Sequence, residues 1–127
     1  MYRLILIGAG GFIGSVLRYL VSGYVQELSN SVDFPYGTLA VNLIGCLLIG
    51  FLTQLAEMYG AFNVEMRAFL IIGLLGGFTT FSTFSNDTVN LLRLGESSLA
   101  FLNIAAHILA ALFLVWAGRT LAYLIWR

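Results

Sequence analysis

The residues of this chain best able to do chemistry are gathered in two stretches, GGFTTFSTFSNDT (Gly76 to Thr88) and TLAVNLIGCLLIG (Thr38 to Gly50). In the first, Thr79, Thr80, Ser82, Thr83, Ser85 and Thr88 crowd round Phe81 and Phe84. The two phenylalanines are three apart, so on a helix their rings stack along one face, and Ser82 and Thr83 form a second face lined with hydroxyls. Gly76-Gly77 and the β-branched threonines are poor helix formers, so a break is expected here. A break frees backbone carbonyls, which a membrane tolerates only where they are buried in protein or bound to a cation. The plainer reading is a kink in which Ser and Thr bond back to the preceding turn; so many unusual choices in one place weigh against it. In the second stretch Thr38, Asn42, Cys46 and Gly50 recur at intervals of four and share one helix face. The Asn42 amide offers two N–H donors to an anion without adding a charge, or it serves as glue between helices; taken alone, glue is the plainer role. Both stretches supply dipoles that could hold an ion.

Other polar residues are scattered. Arg18, in GSVLRY, falls within or at the end of the first apolar run. An intramembrane arginine faces protein or water rather than lipid, so it either draws an anion into a vestibule or snorkels to anchor its helix. Asn103 and His107, four apart, share a face of the last apolar run. Either could line a polar pathway, although a lone histidine is more often satisfied by a neighbouring carbonyl. Asp87, just past the phenylalanines, is the one carboxylate that falls near a span interior, and it is expected close to the interface.

Several functions are excluded. All six cations are arginines, so chemistry that needs a lysine is absent. One histidine cannot build a multi-histidine metal site within one chain, and one cysteine, Cys46, cannot form an intrachain disulfide. The glycines of GAGGFIG, Gly8 to Gly14, imitate a nucleotide-binding turn. That reading needs a strand before it and an acidic residue about 20 positions on. Another apolar stretch follows instead, so these glycines are read as packing surface. A net charge of zero argues against a nucleic-acid partner.

The elements that must position these groups are membrane helices. Of 127 residues, 60% are hydrophobic and 9% charged, with a mean hydropathy of +0.95. Soluble domains carry about 25% charged residues, so the lipid bilayer is the solvent here. Four apolar runs, roughly Leu4–Val25, Thr38–Tyr59, Met66–Leu92 and Ser98–Trp126, are each long enough to cross it. The first, although preceded by Arg3, lacks the small-residue cleavage site of a signal peptide and is expected to be retained. The expected organisation is a single transmembrane domain over residues 1–127. Arg3, Arg67, Arg119 and Arg127 fall on one side and Arg93 on the other. So small a bias permits insertion in both directions. Gly10 and Gly14 are spaced as GxxxG, and Cys46 and Gly50 repeat that spacing, which favours close helix contact. Four short helices enclose little, so a pathway would form most naturally between copies.

GGFIGSVLRY, GTLAVNLIG and GGFTTFSTFS, in that order in a chain of four spans, closely resemble the Fluc (CrcB) family of fluoride ion channels. The third motif is highly specific; the other two add to it. The resemblance implies an all-α integral membrane fold, broken in the third helix and assembled as an antiparallel, dual-topology homodimer. It implies passive export of fluoride across the inner membrane of a prokaryote, with no enzymatic activity. Asn42 then corresponds to the pore asparagine, Phe81 and Phe84 to the paired pore phenylalanines, and Ser82 and Thr83 to the hydroxyl track. Asn103 and His107 fall on polar pore positions of the fourth helix, and Arg18 on the vestibule arginine. Gly76 and Thr79 match positions whose backbone carbonyls hold a structural sodium ion. The main rival class, a small dual-topology multidrug exporter, would need a membrane-embedded carboxylate, and no Asp or Glu falls in the middle of an expected span.

Overall fold

The computed structural model describes residues 1–60 and 62–126. Four helical spans, Tyr2–Ser29, Tyr36–Tyr59, Val64–Arg93 and Ser97–Ile125, are each long and apolar enough to cross a membrane. They cover the expected runs, except that Trp126 lies just beyond the last helix. The first two are α1 and α2. The third is interrupted, giving α3 (64–78) and α4 (Phe81–Arg93). The fourth is α5. The chain is an all-α, multi-pass membrane protein with a break in its third span.

Local chemistry sets the boundaries. Asn30 ends α1 in the left-handed region (φ 50°), and Pro35 sits immediately before α2. Gly60 (φ 55°) closes α2 and Gly95 (φ 81°) follows α4, both in a region costly for other residues. The Asn63 side chain caps α3 by accepting from the Met66 N–H at 2.8 Å. Between α1 and α2, the Gln26 side-chain amide donates to the Ser31 and Phe34 carbonyls (2.7 and 3.1 Å) and accepts from the Gly37 N–H at 3.0 Å, which fixes the turn.

Small residues bring the helices together where backbone meets backbone. On α1, a Cβ at Gly10 or Gly14 would collide with the carbonyl oxygen of Phe69 or Leu74 on α3. The α3 side of that crossing is also glycine, Gly73 and Gly77. Gly50 of α2 and Gly118 of α5 form a second such crossing. Cys46, which shares the spacing with Gly50, is half-buried on a cavity wall instead. Two helices also contain a widened π turn, Ala68–Leu75 in α3 and Ala106–Ala110 in α5.

At one end of the bundle Arg3 pairs with Glu65 (3.5 Å) and Arg119 with Glu57 (2.5 Å). The Tyr59 hydroxyl donates to the Trp126 carbonyl there as well. Arg127, counted with this end from the sequence, lies outside the described residues.

Candidate ion pathway

The break occupies two residues. Thr79 (φ −89°, ψ 159°) and Thr80 (φ −153°, ψ 111°) are extended, so the helical ladder stops at Phe78 and restarts at Phe81. The groups released by the break find specific partners. Thr79 N–H and Thr79 Oγ1 both donate to the Leu75 carbonyl at 3.0 Å. A continuous helix would send the Thr80 N–H to the Gly76 carbonyl; here it donates to Asn42 Oδ1 at 2.8 Å. Asn42 Nδ2 in turn donates to the Thr80 carbonyl at 3.0 Å. One amide on α2 thus takes over both halves of one residue's backbone bonding. Arg18 Nη1 donates to the Thr79 carbonyl at 3.2 Å. Gly45, one turn along α2, leaves room for the Thr79 side chain, which a Cβ would strike.

Beyond the break, Thr80 caps α4. Its Oγ1 accepts from the Thr83 N–H at 3.3 Å and donates to Thr83 Oγ1 at 2.9 Å, with Ser82 Oγ 3.3 Å away. Three hydroxyls therefore cluster at the start of α4, and Ser82 and Thr83 are exposed. Phe81 and Phe84 stack as expected, with centroids 5.4 Å apart and planes tilted by 56°. They differ in setting, because Phe84 is 9% exposed and Phe81 79%. The inner face of Phe84 meets the His107 ring, with centroids 4.3 Å apart at 36°.

Behind this pair a buried chain ties α4 to α5. Thr88 Oγ1 donates to the Phe84 carbonyl at 2.8 Å and accepts from Asn103 Nδ2 at 3.0 Å. The Asn103 carbonyl lies 3.0 Å from His107 Nδ1. Asn103 is fully buried, while His107 reaches the wall of a cavity of about 360 Å³. Asn42, Cys46, Thr80, Phe81 and Phe84 also line this cavity, and among its described walls no side chain carries a formal charge. On the other side of Thr80 lies a smaller hydroxyl-lined cavity of about 230 Å³, where Arg18 stands among Ser15, Ser22, Thr38 and Thr83. Thr80 is common to both cavities.

The family model for CrcB-like protein, Camphor Resistance (CrcB), matches residues 5–119. The chain belongs to the CrcB family. Fluoride-specific ion channel FluC 1 of Methanosarcina acetivorans is 47% identical over 94% of this chain and 89% of its own length. Fluoride-specific ion channel FluC of Parabacteroides distasonis is 48% identical (93% and 91% covered). Its namesake from Agrobacterium fabrum is 45% identical (95% and 96%).

In this CrcB chain the residues singled out from sequence divide by location. Asn42, Phe81, Phe84 and His107 meet at the larger cavity, with Gly76 and Thr79 on the same wall. Arg18 and Thr83 stand at the smaller one. Ser82 joins the hydroxyl cluster through Thr80. Asn103 stands apart, turned towards Thr88. Sequence reasoning missed three contacts: Gly45 beneath the break, the Thr88 link, and the bond from Thr38 Oγ1 to Asp87 Oδ2 at 2.8 Å. Type and position single out Thr38, Thr88 and Asp87 in the sequence, but not their partners; Gly45 carries no signal there.

Proposed function

We propose that this CrcB chain is a fluoride-selective channel that lets cytoplasmic fluoride leave passively down its electrochemical gradient. The observation that carries this reading is the uncharged cavity where the Asn42 amide, the Thr80 hydroxyl and the rings of Phe81 and Phe84 converge beside an opened helix. Fluoride is small and holds water tightly, so a pore must offer substitutes for that water. Phenyl edges carry the positive part of the ring quadrupole. Asn42 Nδ2 has a second N–H beyond the one given to Thr80. Hydroxyls rotate to donate. A lining of this kind binds without the deep trap that a fixed positive charge would make, as conduction requires. The names of the relatives, fluoride-specific ion channels, support the choice of ion. Neutral HF enters cells through the lipid and dissociates in a near-neutral cytoplasm, which leaves an anion that needs a pore to escape.

The pores in this proposal are completed by a second copy inserted antiparallel. The 79% exposure of Phe81, beside an open cavity, leaves one pore ring without a protein neighbour on its far side. The small number of cations on the connecting segments, Arg3, Arg67, Arg119 and Arg127 at one end and Arg93 at the other, with no lysine at either, is a weak orientation signal that is compatible with dual insertion. A structural sodium ion belongs to the same reading. The Gly76 carbonyl has lost its ladder donor to Asn42, and the Thr79 carbonyl has lost its own, since the Thr83 N–H turns to Thr80 Oγ1. These two oxygens suit a hard monovalent cation, which would supply the positive charge that draws freed carbonyls together. The cell membrane of a prokaryote is the proposed location, as for the bacterial and archaeal relatives.

The test is release from liposomes that contain the purified protein. Fluoride should leave rapidly and respond to an imposed potential, while chloride stays inside. Equal leakage of both halides, or no fluoride release, would refute the reading.

A further inference from the structure

His107 is the only histidine in the chain and is 8% exposed, in the widened turn Ala106–Ala110 of α5. Its Nδ1 lies 3.0 Å from the Asn103 carbonyl oxygen. A carbonyl has no hydrogen to give, so Nδ1 carries the proton and, in the neutral ring, Nε2 is bare. Nε2 is buried and meets no hydrogen-bond partner among the described residues. A proton arriving from solvent would add to this lone pair without breaking any bond the ring now makes.

The ring lies against Phe84, with centroids 4.3 Å apart at 36°, and Phe84 packs on Phe81 at 5.4 Å. A cation over a phenyl face is drawn to the negative face of the quadrupole. It also pulls electron density towards itself, leaving the ring's edge more positive, and the edge is the part offered to an anion. An imidazolium buried in this setting is costly unless an opposite charge is near, and a fluoride ion at the ring edge supplies one. The titratable groups around His107 are Asp87 on α4, whose charge reaches it, and Cys46 on α2, on the wall of the same cavity. The α3 part of that wall, Ile71, Leu75 and Gly76, carries none.

Resting on the reading of Phe84 as a pore ring, we propose that His107 is a positioning residue whose protonated form, stacked on Phe84, strengthens that ring's hold on fluoride. Proton and fluoride occupancy then rise together. By reciprocity, each must favour the other to the same degree.

Two measurements test this. Because the chain has one histidine, imidazole-labelled wild-type protein gives a single ring signal by NMR. In fluoride that signal should keep its protonated position to higher pH than in chloride; identical titrations in the two halides would overturn the inference. The second measurement is fluoride current across a planar bilayer, where neutral HF carries no charge. Half-saturating fluoride should fall by about threefold to tenfold between about pH 7.5 and about pH 4.5, a range that extends well below the ordinary histidine value. His107→Gln should remove the dependence. A pH response that survives in His107→Gln, or a wild-type current with an unchanged half-saturation, would overturn this inference alone. No fluoride current at either pH would remove the channel reading and this inference with it.

Discussion

Replacing Asn42 by alanine would remove both halves of the clamp on the broken helix. Thr80 N–H now donates to Oδ1 at 2.8 Å and the Thr80 carbonyl accepts from Nδ2 at 3.0 Å, with Asn42 9% exposed. Alanine leaves one backbone donor and one acceptor without partners inside the bilayer. Each such group costs about 1–3 kcal/mol where water is excluded. Side-chain hydrogen bonds between membrane helices average nearer to 0.6 kcal/mol, because the unfolded chain finds other partners. The neighbouring cavity of about 360 Å³ can admit a water molecule, which trims the upper end. The expected destabilisation for Asn42→Ala is therefore about 2–4 kcal/mol. It is measurable by reversible unfolding in mixed micelles, followed through the fluorescence of Trp116 and Trp126. Asn90→Ala, at an exposed site on α4, serves as the control, with an expected change under about 0.5 kcal/mol. If the two variants unfold alike, Asn42 does not hold the break and the reasoning fails. Under conditions where Asn42→Ala is still folded, its fluoride flux should also fall; undiminished flux would confine Asn42 to the structural role.

Phe81→Ile should lower fluoride flux by about tenfold through loss of one ring edge, with little effect on stability because the ring is exposed. Phe84→Ile should lower flux similarly and also cost about 1–2 kcal/mol of stability, read in the same micelle assay. Full flux in both variants would remove the rings from the pathway. Gly14→Ala should destabilise the α1–α3 crossing by about 2 kcal/mol, since its Cβ meets the Leu74 backbone. Gly8→Ala, which meets nothing within 4 Å, should be neutral or stabilising by up to about 1 kcal/mol; equal effects would refute the assigned contact. Replacing sodium by a bulky organic cation should lower the thermal unfolding midpoint of the purified protein, and an unchanged midpoint would reject Gly76 and Thr79 as a cation site.

Much of this architecture is a property of segments taken singly, and so was legible in the chain. An apolar run of span length has nowhere to go but the membrane, so all four spans could be placed within a few residues of their observed ends. Gly76-Gly77 before two threonines marked where the third helix opens, and a spacing of three brought Phe81 and Phe84 together. The identity of each partner was a different kind of question. Asn42 could be read as interhelical glue or as a pore donor, because its neighbour, the Thr80 backbone, lies 38 residues away and is available only where the helix has unwound. Arg18 reaches across 61 residues to the Thr79 carbonyl for the same reason. Asn103 and His107 share a helix face, yet the first turns to Thr88 and the second to Phe84. A freed or buried polar group takes whichever partner the packing of distant helices brings within about 3 Å. Composition and local spacing determined which groups would need partners, and the tertiary fold alone decided who supplies them.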